Sequence, residues 1–322
     1  MGSDRLIERT NAYKVVENDK KHGFFHAYLL LSKDAKRLRE DMKTFAKLIM
    51  CEKGGCGECR VCRLIDKENH ADVKFLPEKG DKILTEDVNA LIEESYVKPL
   101  EEDKKLFLIV GADKMPAVAQ NKLLKTLEEP PANVIIFLGA SNEYALLPTV
   151  RSRVKTLSVP LYGEQELYDA LLPECPDGEK LRLAVSCGDG TIGRAKELYG
   201  DTKLESLFDF TAELLVNMNS SRDVLEYSAK IMKMREHLGD VFNIAALYFR
   251  DMLAESEGAK ADNPVALEKV RGASGFNRGS LVYALEKTAE AVRRASYNAN
   301  ETMLAEWWLF AILEGKHIWQ KS

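Results

Sequence analysis

Between Tyr28 and Val159 short apolar runs alternate with longer stretches whose apolar residues recur at helical spacing, and that alternation leaves the chain few possible folds. Residues 28–31, 106–110, 134–140 and 154–159 read as strands, and residues 86–97 and 117–128 as helices. Strands that are apolar almost throughout must be covered on both faces. Strands that alternate with helices must connect by crossovers. Together these predict an α/β domain built on a largely parallel sheet with helices on both faces.

After Pro160 the pattern changes, and no further strand is predicted. Residues 164–172, 179–186 and 191–198 read as short helices. Longer amphipathic stretches follow at 207–216, 224–234 and 281–295, with glycine-containing breaks near Gly258 and across 271–279. The predicted organisation is therefore an α/β domain over 1–160, a small helical domain over 161–203 and an all-α domain over 204–322.

At 322 residues, 45% of them apolar, the chain is long enough for two or three packed cores. No charged and then apolar leader opens it, and its late apolar run, 307–313, is far short of the roughly 20 residues of a membrane span, so a cytoplasmic location is expected. The net charge of −5 has the wrong sign for gripping nucleic acid over the whole surface. Any contact with DNA must be local or shared with partners.

Four of the six cysteines, Cys51, Cys56, Cys59 and Cys62, are separated by four, two and two residues, with Gly54, Gly55 and Gly57 among them. Glycines permit the tight turns that aim several sulfurs at one point, and this spacing is that of a zinc site. Four ligands from one short segment leave no open position, which predicts a structural rather than a catalytic metal. Lys53, Arg60, Arg63 and Lys67 lie close enough in sequence to offset the charge of four thiolates. No aromatic residue stands between Glu52 and Ala71, which argues against a stacking platform for bases.

The loop after the first strand is where an ATP-binding domain of this kind needs a glycine-rich cradle ending in Lys and Ser or Thr. Here the loop runs Ser32, Lys33, Asp34, Ala35, Lys36, Arg37, and no glycine occurs between Gly23 and Gly54. The strand at 106–110 leads into Gly111, Ala112 and Asp113 without the adjacent acidic pair that would hold Mg²⁺. ATP hydrolysis by this chain is not expected. His26, His70, His237 and His317 have no companion motif for catalysis, and Glu128 with Glu129, before Pro130 and Pro131, reads as a packing or interface pair.

Several motifs stand in an order that resembles bacterial sliding-clamp-loader subunits of the DNA polymerase III holoenzyme, a branch of the AAA+ proteins. They are His26-Ala-Tyr-Leu-Leu30, the cysteine cluster, His70-Ala-Asp-Val73, Gly111-Ala-Asp-Lys-Met115, Asn121-Lys-Leu-Leu-Lys-Thr-Leu-Glu-Glu-Pro-Pro131 and Leu147-Pro-Thr-Val-Arg-Ser-Arg153. The resemblance covers about 11–198 well. Beyond that it rests only on helical character. Within the family, gamma/tau subunits keep the phosphate loop and acidic pair whereas delta-prime subunits commonly lose them, so the departures at 32–37 and at Val110 and Gly111 point to the delta-prime type.

What this resemblance implies is a non-hydrolysing stator. Arg153, matching the arginine of the family's Ser-Arg-Cys motif, would reach in trans into a gamma/tau ATP site as an arginine finger, with Val154 replacing the cysteine and Arg151 the nearby competitor. The resemblance further implies a helical lid over 161–203 and a collar over 204–322 that holds the assembly together. Its partners would be gamma/tau and delta subunits, the sliding clamp and primed DNA. Arg194 matches a second nucleotide-sensing arginine of related proteins, but with no phosphate loop to serve it reads as structural. Two other readings stay open: an active clamp-loader ATPase with an unusual phosphate loop, and a zinc-dependent DNA-binding module.

Overall fold

The computed structural model describes residues 3–78, 80, 82–295, 297 and 299–318. These residues form two compact units, one of Met1–Glu174 with Thr191–Arg194, the other of Cys175–Gly190 with Ala195–Ser322.

The first unit is built on five strands: β1 (Ala27–Leu31), β2 (Val73–Leu76), β3 (Lys105–Val110), β4 (Val134–Ala140) and β5 (Lys155–Ser158). All pair in parallel, in the order β2-β3-β4-β1-β5. Helices α1 (Asn11–His22), α2 (Leu38–Met50), α3 (Arg60–Asp66), α4 (Thr85–Ser95), α5 (Ala117–Glu128), α6 (Pro148–Arg151) and α7 (Glu164–Leu171) surround the sheet. Successive side chains of a strand point to opposite faces, and both faces are buried here. Tyr28 and Leu30 join Phe45 and Phe137 in one core, while Ala27 and Leu29 join Phe107 and Leu138 in the other. Gly139 of β4 is required by this packing, because a Cβ there would stand 2.4 Å from Sδ of Met42 on α2. The parallel sheet between helical layers is the α/β architecture that the alternation of patterns predicts.

Strand β2 is the one strand that periodicity does not reveal. It is four residues long and lies at the sheet edge, with Lys74 only half-buried among its apolar neighbours. Too few residues alternate for a pattern to emerge.

The second unit is helical, comprising α8 (Gly178–Ser186), most of α9 (Ile192–Gly200), α10 (Leu204–Asn217), α11 (Ser221–Met232), α12 (Leu238–Ser256), α13 (Pro264–Lys269), α14 (Arg278–Ala295) and α15 (Glu301–Ile318). Its core gathers Phe208, Phe242, Tyr248 and Trp308, with the Phe242 and Trp308 rings edge-on at 5.0 Å. Two aromatic polar atoms that enter this core are paired: Trp308 Nε1 donates to Thr288 Oγ1 at 2.9 Å and Tyr248 Oη to the Phe208 carbonyl at 3.1 Å. Lys316 is buried too, and its ammonium donates to the carbonyls of Leu215 and Met218, both at 2.9 Å, closing the end of α10. Burial pushes that ammonium down to about 8.

The division predicted at 160 and 203 stays a proposal, since α7 falls in the first unit, α8 in the second, and α9 begins in one and ends in the other. Among the described residues no helix is long and apolar enough to cross a membrane.

Candidate functional site

The four cysteines converge. Cys51 closes the C-terminus of α2, its N–H donating to the Lys47 carbonyl, and Cys59 precedes α3, where its sulfur accepts the N–H of Cys62. Between them Gly54, Gly55 and Gly57 take φ of +73°, +91° and +78°, a left-handed backbone that other residues adopt at a cost. Sγ of Cys51 lies 3.8 Å from that of Cys56 and 3.7 Å from that of Cys59. All four sulfurs fall within 4.8 Å of one another. A tetrahedron with metal–sulfur bonds of about 2.3 Å has edges of roughly 3.8 Å, so the donor set fits a single closed metal site. Burial opposes charge on Cys51, but the N–H groups of Cys56, Gly55 and Lys53 outweigh it and hold the thiol down at about 6. Arg60, expected to offset the thiolates, forms a bidentate pair with Glu101 at 2.7 and 3.1 Å.

The loop after β1 carries an anion of its own. Asp34 Oδ1 accepts the N–H of Arg37 at 3.1 Å, and Oδ2 accepts the N–H of Gly193 at 2.7 Å. A Cβ on Gly193 would lie 2.4 Å from Oδ1, so only glycine admits this approach. Arg37 is buried with Asp41, Nε to Oδ1 3.3 Å. One backbone donor of the loop after β1, at Arg37, and one from the first turn of α9, at Gly193, are thus both taken by a carboxylate of the chain. Asp113 ties the ends of β3 and β4 together: one carboxylate oxygen accepts the N–H of Ser141 and of Asn142 and the hydroxyl of Ser141 at 3.1, 3.1 and 2.7 Å.

Arg153 follows α6, and buried Gln120 holds the loop that leads into that helix. Gln120 accepts the N–H of Leu147 at 2.8 Å and donates to the carbonyls of Met115 and Ala145 at 3.1 and 3.2 Å. The Arg153 side chain is 34% exposed; Nη1 donates to the Thr149 carbonyl at 2.9 Å and the Ser152 hydroxyl at 3.1 Å, while Nη2 pairs with Glu128 at 2.6 Å. Arg151 instead lays its guanidinium 5.5 Å above the Tyr144 ring, with a buried Nε that has no partner among the described residues. His70 is buried near the cysteine segment, its Nδ1 facing the N–H of Asp72 at 3.1 Å.

Residue-type arguments miss Asp72, which precedes β2 and holds the segment that leads into β3. Its carboxylate is 1% exposed and accepts the N–H groups of Leu100, Glu101 and Glu102 at 2.7, 2.7 and 2.9 Å. Burial alone would raise the carboxyl; the three donors outweigh it and hold it below the usual carboxylate range. Asp72→Ala is expected to lower the unfolding free energy by about 3 kcal/mol, since three charge-assisted bonds go and three donors lose their acceptor. A depressed carboxyl pKa stabilises the fold above the unfolded value of about 3.9 and ceases to do so as pH falls through the folded one, so denaturant melts of wild type and variant should converge in acid.

A family model described as DNA polymerase III, delta subunit, matches residues 9–161. DNA polymerase III subunit delta' of Bacillus subtilis is 34% identical over 189 residues, covering 58% of this chain and 56% of the relative. The subunit of the same name from Pseudomonas aeruginosa is 31% identical over 183 residues, covering 54% and 56%. The chain thus spans about half the length of the curated relatives it matches. Among solved structures, a DNA polymerase III gamma-subunit-related protein from Thermotoga maritima is similar at 18% identity and TM-score 0.46 over 94% of this chain and 99% of that one, a likeness too loose to carry weight. The matched segment holds the α/β unit from α1 to β5, the cysteine cluster and Arg153, and over that segment the chain is similar to the DNA polymerase III delta-subunit family.

Proposed function

We propose that this chain is a delta-prime-type subunit of a sliding-clamp loader, a stator that hydrolyses no ATP itself and supplies Arg153 to the ATP site of a gamma/tau neighbour. The observation that carries the reading is a pairing of loss and retention within one unit. Asp34 takes the N–H of Arg37 in the loop where a phosphate would be held, and that of Gly193, whereas Arg153 stands part-exposed after α6, whose leading loop Gln120 holds.

A planar guanidinium fixed at an interface can neutralise charge on the phosphoryl group being transferred next door. The cysteine cluster holds a structural zinc ion, which stiffens the segment between α2 and α3 and takes no part in chemistry. Residues 161–203 act as a lid domain, and the helices after about 204 as the collar that keeps gamma/tau and delta subunits together. Clamp and primed DNA are engaged through the assembled complex, in keeping with the chain's net charge of −5.

The test is made on the full chain alone and then mixed with gamma/tau and delta subunits. Co-elution as one complex, with Mg-ATP and primed DNA bound by the complex but not by the isolated chain, is expected. Tight Mg-ATP binding by the isolated chain would instead favour an active ATPase, and primed-DNA binding without partners a zinc-dependent DNA-binding module.

A further inference from the structure

Glu128 is the last residue of α5, and Leu123 and Leu127 in the turns before it are buried. The loop leading into α6 is bonded to Gln120 of that same helix. Glu128 and Arg153 therefore stand on one frame, although 25 residues separate them. Nη1 of the guanidinium donates to Thr149 O and Ser152 Oγ, and Nη2 is ion-paired with Glu128 Oε1 at 2.6 Å. Nε and the second Nη2 hydrogen have no partner among the described residues, and they are the donors left for an incoming oxygen.

We propose that Glu128 is the positioning residue for Arg153, holding the guanidinium in the orientation in which its two remaining donors face a neighbouring subunit's phosphates. This rests on the reading of Arg153 as the trans-acting arginine. The physical reason is entropy: an unpaired arginine samples many rotamers and must be ordered as the transition state forms. One already clamped by a carboxylate, a carbonyl and a hydroxyl has been ordered beforehand. The carboxylate pairs with Nη2 alone and leaves Nε, so the clamp orients the group without occupying all of it. It also explains why an acidic residue ends this helix, a position where the helix dipole favours a cation.

The experiment uses a complex reconstituted with the full chain and reads kcat and KM for Mg-ATP in clamp- and DNA-stimulated turnover. Glu128→Ala is expected to lower kcat roughly 10- to 100-fold with KM unchanged, because orientation and not substrate binding is lost. Glu128→Gln, which still offers an oxygen at nearly the same place, should recover most of that loss, within about threefold of wild type. The double variant Glu128→Ala with Arg153→Ala should turn over no more slowly than Arg153→Ala alone. Normal turnover in Glu128→Ala beside a collapse in Arg153→Ala overturns the inference and spares the arginine. Normal turnover in both overturns the arginine reading itself. Losses that multiply in the double variant show that Glu128 acts through something else, which also overturns it. Should Glu128→Ala not assemble, Glu128→Ser is read in its place: a kcat loss confined to the Arg153 background supports positioning, and a loss that persists in Arg153→Ala rejects it.

Discussion

Arg153→Ala is expected to lower stimulated ATP turnover of a reconstituted complex by roughly 10³- to 10⁵-fold, the range in which trans-acting arginines operate, while the complex still assembles. Two features of the site separate that effect from damage to the fold. The pair that Arg153 makes with Glu128 is exposed on both sides, at 34% and 49%, and pairs of that kind contribute little to stability. The loop that leads into α6, just before the arginine's own turn, is held by Gln120 and does not depend on the arginine. Arg153→Lys sharpens the test. It keeps the charge but loses the planar fork, so it should recover only a small part of the rate if the guanidinium contacts phosphoryl oxygens at two points. Unchanged turnover in Arg153→Ala would leave the chain a scaffold and move attention to Arg151, whose guanidinium lies over Tyr144 nearby.

The second large effect concerns the cysteine cluster. The full chain, prepared with its thiols reduced and zinc supplied, is expected to carry one zinc ion, and the pair of changes Cys51→Ser and Cys62→Ser should abolish it, as read by elemental analysis. Substituted cobalt should show the absorption of a tetrahedral sulfur site in wild type only. The consequence for stability should be large because of what the segment connects. Cys51 ends α2 and Cys59 begins α3, and Lys20 of α1 donates to the carbonyls of Leu48, at 2.9 Å, and of Cys51. Three left-handed glycines lie between, and they give up more conformational freedom on ordering than any other residue. Zinc in small peptides contributes on the order of 10 kcal/mol to folding at neutral pH. A fraction of that, several kcal/mol, should disappear from the melt of the first unit on chelation. A fully reduced wild-type chain that takes up no zinc or cobalt would refute the metal assignment.

What sequence determined by itself is what periodicity and local spacing can encode. Strands β3 and β4 and helix α5 lie within a residue or two of where their apolar spacing puts them, because burial on one face or two is written into consecutive residues. The four cysteines were legible because ligands from a single segment must be close in sequence to be close in space. Strand β2 was not, since four residues at a sheet edge alternate too little to stand out.

The polar contacts that shape the candidate site were decided by tertiary structure. Asp34 meets Gly193 across 159 positions, Asp72 meets Leu100 across 28, and Glu128 meets Arg153 across a strand and a short helix. Nothing periodic links such residues. A carboxylate in a loop has the same local sequence whether it faces water, a cation or a row of N–H groups, and only the packing of the surrounding elements selects among them. Burial pattern is a property of neighbours along the chain and survives in the sequence; the partner of a charge is a property of neighbours in space, and it appears only once the sheet and helices have closed around it.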